Sequence, residues 1–66
     1  MDKTIIAERL IKLRGNKTQK EVAEAVGVAQ STYAMYESGQ RVPSDNVKIR
    51  IAMYYKKTVQ SIFFTP

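Results

Sequence analysis

Sixty-six residues without a single Cys or His leave no disulfide and no ordinary zinc cage to hold a fold together. So short a chain keeps much of its surface wet when folded, which leaves helix packing, helped by a second copy, as the route to stability. Eleven Lys and Arg against six Asp and Glu give a net charge of +5, which favours a polyanionic partner, while the missing thiol and imidazole argue against catalysis.

An apolar content of 44% is too high for a disordered basic tail. No run approaches the roughly 20 apolar residues of a membrane span, and no signal-peptide core follows Met1. A cysteine-free chain of this kind fits the cytoplasm. The expectation is one small, basic, all-α domain over residues 1–66, with neither metal nor cofactor.

In chain order, Thr4 to Arg14 sets Ile6, Leu10 and Leu13 on one stripe of a first helix, which Gly15-Asn16 ends. Thr18-Gln19-Lys20-Glu21 spells a capping box. The helix it opens carries Val22, Ala23 and Val26 inward and stops at Gly27, too short to stand without packing. Gln30 to Ser38 is a third helix, closed by Gly39, with Tyr33, Tyr36 and Glu37 on one side. Its other side, with Gln30, Ser31, Ala34, Met35 and Ser38, is short, uncharged and mostly polar. Ser44 is placed to cap a fourth helix that runs to about Tyr55 and buries Val47, Ile51, Ala52 and Tyr55. Thr58 then caps a last short helix presenting Val59, Ile62 and Phe63. The total is five helices.

The informative block runs from Gln19 to Tyr36, as Q-x-x-V-A-x-x-x-G-V-x-x-x-x-Y-x-x-Y. Ala23 is small where two helices would cross closely, and Gly27 permits the positive φ of a sharp turn. Tyr33 and Tyr36 anchor the next helix and leave its opposite face free. A helix held in this way protrudes and suits the width of a DNA major groove.

These residues resemble the Cro- and phage-repressor-like helix-turn-helix regulators, also called the Xre family, whose fold is the five-helix lambda-repressor-like domain. The resemblance rests on Leu10-x-x-Leu13-Arg14, Thr18-Gln19-x-Glu21-Val22-Ala23, Gly27-Val28 and Ser31-Thr32. It continues through Tyr36-Glu37-x-Gly39, Pro43-Ser44 and Ile51-Ala52, and spans nearly the whole chain. It implies a helix-turn-helix at about 18–38, with Thr18–Val26 as positioning helix and Gln30–Ser38 as recognition helix. It implies further that Gln19 bonds a backbone phosphate and that Gln30 and Ser31 reach base edges, with Met35 one turn behind. Chemistry agrees: Gln pairs bidentately with adenine, and Ala34 or Met35 can lie against a thymine methyl. An A·T-containing core in each half-site follows. Lys17, Thr18, Thr32, Ser38, Gln40 and Arg41 complete the candidate phosphate contacts, and Arg14 with Glu37 is expected as a partly buried ion pair between first and third helices.

Some positions depart from the family pattern. The loop Gly15-Asn16-Lys17 is shorter than the common form, and Ala29 stands where most relatives carry a Ser or Thr cap. That substitution costs the third helix ~1 kcal/mol. Tyr33 replaces the usual aliphatic. No Arg or Lys lies on the reading face, which removes the bidentate arginine–guanine contact.

Ile49, Met53, Val59, Ile62, Phe63 and Phe64 exceed what one small core can use. Their clustering predicts a two-fold dimer contact, chiefly through Val59, Ile62, Phe63 and Phe64. The expected function is thus a homodimeric, sequence-specific double-stranded-DNA-binding regulator, acting as a repressor on a near-palindromic operator, with no small-molecule ligand domain and no membrane attachment. Two other readings stay open: an antitoxin-type module whose apolar end clamps a protein, and the DNA-binding part of a longer repressor.

Overall fold

The computed structural model describes residues 2–66. Each helix begins and ends where the local chemistry permits. In α1 (Lys3–Arg14) the carboxylate of Asp2 accepts from the amide of Thr4 at 2.7 Å, so the helix starts one residue earlier than its apolar stripe suggests. Ile6, Ala7 and Leu10 are buried along it.

In α2 (Gln19–Val26) the capping box is complete: Glu21 N donates to Thr18 Oγ1 at 3.0 Å, and Thr18 N donates to Glu21 Oε1 at 3.4 Å. The helix ends at Gly27, whose φ of +79° is open to glycine and strained for other residues. A Cβ there would also lie 3.6 Å from Arg50 Nη1, because α4 (Asp45–Tyr55) brings that guanidinium over the turn.

After α3 (Gln30–Glu37), the carbonyl of Met35 accepts from the amides of Gln40 and Arg41 and from Ser38 Oγ, which closes the helix into the next loop. Ser44 begins α4 in extended geometry, but its hydroxyl makes no capping bond; the expected side-chain cap is absent. Lys56 ends α4 in the left-handed conformation, and the amide of Lys57 reaches back to Ala52 O at 2.9 Å.

The last element, α5 (Gln60–Phe64), is wound as a wide π-helical turn. Thr58 caps it as expected, with Ser61 N donating to Thr58 Oγ1 at 3.0 Å. Arg9 secures it from α1, since Nη1 donates to the carbonyls of Ser61 and Ile62 at 3.2 and 3.0 Å. From α4, Lys48 Nζ sits 4.7 Å from the centre of the Phe64 ring.

The third helix packs against both α1 and α2, α4 packs against α2, and α5 closes on α1. Leu10, Val22, Val26, Tyr33, Ile51 and Phe63 are the most deeply buried large side chains of one connected core. This corrects two of the four residues expected at a dimer contact. Ile62 and Phe63 are 2% and 0% exposed and belong to the chain's own core, and Val59 is partly buried against it. Phe64 alone of that group stands largely free, at 56%. Tyr55 is only half-buried, with its hydroxyl 3.1 Å from that of Tyr33.

Candidate nucleic-acid interface

Helix α3 is fixed from below by its buried side. Tyr33 is fully enclosed and Tyr36 nearly so, the two rings meeting edge to face at 6.2 Å. Glu37 is the one buried charged residue among the described residues, 6% exposed, and its carboxylate is hydrogen-bonded. Arg14 Nε from α1 donates to Glu37 Oε2 at 2.8 Å, and Gln19 Nε2 from α2 donates to Oε1 at 3.0 Å. Arg14 Nη1 also donates to Lys17 O at 2.7 Å, which ties down the short loop before α2. One carboxylate therefore joins three helices and sets the angle between the two halves of the helix-turn-helix.

The electrostatics of this network follow from its geometry. Burial pushes the Glu37 carboxyl up, but the hydrogen bonds from Arg14 and Gln19, the Tyr33 phenol and the Arg14 charge together hold it below its ordinary value. The same Glu37 bond raises the Arg14 guanidinium further, against a smaller opposing effect of burial. Burial, together with the Tyr55 hydroxyl, drives the Tyr33 phenol far above its ordinary range. All three side chains keep one charge state at neutral pH, so they form a scaffold rather than an acid–base site.

The other side of α3 faces solvent. Ser31, Met35 and Ser38 lie on one stripe at helical spacing, with Gln30 at the tip and Ala34 beside them. Gln30, Ser31 and Met35 are exposed, Met35 at 38%, while Ala34 and Thr32 are half-buried. Ala29 offers no side-chain cap, and the first α3 amide bonded within the chain is that of Tyr33, to Ala29 O at 3.0 Å. The helix thus presents its leading amides, with their partial positive charge, beside Gln30 and Ser31.

The expected phosphate contacts divide into two sets. Lys17, Gln40 and Arg41 are exposed around α3, as is Lys20 on α2, and the ion pairs among the described residues are Arg14–Glu37 and Lys48–Asp45. The hydroxyls of Thr18 and Ser38 are instead spent locally, on Glu21 Oε1 at 3.3 Å and on Met35 O at 3.1 Å. Gln19 has a double position: one amide hydrogen is turned to Glu37, which leaves the second and the carbonyl for solvent. Sequence reasoning did not find that role, because Glu37 lies 18 residues away. Nor does the sequence bring Arg50 to this site, whereas α4 carries its exposed guanidinium to the turn at Gly27. No local signal could have shown this.

Among the described residues no helix is long and apolar enough to cross a membrane. The helix-turn-helix family model matches residues 6–62, which takes in all five helices apart from their outer ends. Neither the curated proteins nor the solved structures give a match. With a tight Gly27 turn, a pinned α3 and this family match, the chain belongs to the Cro- and phage-repressor-like, or Xre, family of helix-turn-helix DNA-binding regulators.

Proposed function

We propose that residues 1–66 act as one sequence-specific reader of double-stranded DNA, a homodimeric repressor in the cytoplasm that works by occupying a near-palindromic operator. The observation that carries this is α3 itself. Its Tyr33–Tyr36–Glu37 side is locked to α1 and α2, while its uncharged outer side is open and flanked by Lys17, Lys20 and Arg41. Basic side chains supply affinity without sequence information, and a rigid polar helix supplies register.

Gln30 is the chief base reader in this proposal, through adenine N6 and N7, with Ser31 beside it. Ala34 and Met35 serve thymine methyl groups. Lys17, Gln19, Gln40 and Arg41 hold phosphates, with Thr32 at the edge of the contact. The free hydrogen on Gln19 Nε2 and its carbonyl suit that task while the other hydrogen holds Glu37.

Selection from a random DNA library, followed by salt titration on the enriched site, tests the reading. The expected result is a two-fold motif with A·T-containing half-sites about 34–36 Å apart. Gln30→Ala should keep the fold and reduce discrimination by about 1–3 kcal/mol at one base pair per half-site. Unselective, purely salt-sensitive binding would reduce the DNA interaction to net charge.

A further inference from the structure

A second basic feature lies where α1 meets α5 and the end of α4, and it uses none of the candidate DNA contacts named above. Arg9, Leu13, Lys57, Ser61 and Ile62 line an open cavity of about 210 Å³. The lining is apolar at Leu13 and Ile62, cationic at Arg9 and Lys57, and holds no carboxylate. The left-handed turn at Lys56, with φ +57°, ends α4 and carries Lys57 to the cavity. Along α1, Ile5 and Lys12 lie one turn to either side of Arg9 on the same face, and both are exposed. Arg9, Lys12 and Lys57 all stand outside the ion pairs among the described residues, which are Arg14–Glu37 and Lys48–Asp45.

Arg9 is already oriented. Its Nη1 is spent on the carbonyls of Ser61 and Ile62, at 3.2 and 3.0 Å, which fixes the plane of the guanidinium. The edge formed by Nε and Nη2 has no hydrogen-bond partner among the described residues. Two parallel N–H groups of that kind grip a carboxylate bidentately, and a guanidinium fixed beforehand loses little freedom in doing so.

We propose that this cavity receives an acidic side chain of a protein partner, carried on a segment that mixes Asp or Glu with aliphatic residues. The inference stands apart from the DNA reading and gives the chain a second binding surface. Charge selects an anion, since two unpaired cations line the cavity with nothing to oppose them. Volume selects a side chain, because small-molecule sites run to about 300–1,000 Å³ and this one is smaller. The face also continues past the cavity through Ile5 and Lys12, which suits a segment with both apolar and acidic residues. A DNA backbone would use the cations but gain nothing from Leu13 and Ile5.

Panning a phage-displayed random-peptide library against the whole chain tests the proposal. The enriched peptides should combine Asp or Glu with Leu, Ile or Val. Synthetic copies should shift the amide resonances of Leu13, Ser61 and Ile62. Lys57→Glu should weaken such a peptide by about tenfold or more, while Lys3→Glu, the same charge change at the start of α1, should cost about threefold or less. Arg9→Lys keeps the charge, removes the fork and should weaken binding by about fivefold or more. Arg9 also ties α5 down, so its melt is measured beside its binding. Lys57 is exposed, and Lys57→Glu decides the matter if Arg9→Lys fails to fold. No acidic enrichment, or equal losses in Lys57→Glu and Lys3→Glu, would reduce the site to net charge and overturn it. N-acetylglutamate binding as tightly as the peptide would replace the protein segment by a small carboxylate, against the proposal. A weaker salt dependence of DNA binding in Lys57→Glu but not in Lys3→Glu would give the cavity to DNA phosphates instead.

Discussion

At the scale of single residues, Glu37 determines how the reading helix is held. Its carboxylate accepts from Arg14 and Gln19 in a setting where an unpaired charge would be costly. Because its folded pKa lies below its ordinary 4.5, the stability from its ionisation is complete above that value and is lost as the pH falls through the lowered one. Glu37→Gln should therefore cost about 1–3 kcal/mol at neutral pH and flatten the acid side of the stability profile. Urea titrations of both proteins between pH 3 and 7 would show this; parallel profiles would remove Glu37 as the source. Gln19 shows why residue roles cannot be read from one motif position. A side chain with two donor hydrogens and a carbonyl can hold the scaffold and still face a phosphate.

At the scale of elements, the helix-turn-helix combines strong and weak ends. Thr18 and Glu21 satisfy each other at the start of α2, whereas Ala29 leaves the start of α3 uncapped. The difference falls on the helix proposed to read the groove. Ala29→Ser should raise stability by about 1 kcal/mol, measured as a higher melting temperature, by giving an α3 amide an acceptor. Slower amide exchange in the first turn of α3 is the accompanying sign, and an unchanged melt would show that the end is already satisfied. The element least suited to stand alone is α5, a single π-helical turn, and its anchors come from elsewhere: Arg9 on one side and Lys48 on the other.

At the scale of the whole molecule, two adjacent phenylalanines do opposite things. Phe63 is fully buried against helices distant in sequence, and Phe64 is 56% exposed over a groove beside α4. A domain of this length has about 3–10 kcal/mol of stability. Phe63→Ala, at about 3–5 kcal/mol, should remove a third or more of that and lower the melting temperature sharply. Phe64→Ala should leave it folded. Circular dichroism separates the two, and equal loss in both would contradict the division between core and surface.

Most of the fold was legible because its signals are local. The capping box at Thr18 and Glu21, the glycine at 27, and the 3.6-residue spacing of Tyr33, Tyr36 and Glu37 each act within one or two turns of chain. The same spacing marked the open side of α3, while the base-reading roles of Gln30, Ser31 and Met35 came from the family resemblance. What the sequence by itself determined is where helices begin, end and turn, and which side of each is apolar. Which apolar residues at the C-terminal end become core was decided only in three dimensions. The wide turn of α5 breaks the ordinary helical period, and its docking on α1 and α4 selects Ile62 and Phe63 for burial and leaves Phe64 out. The Gln19–Glu37 bond and the place of Arg50 were decided there as well, because each depends on chain segments that meet only after the helices have packed.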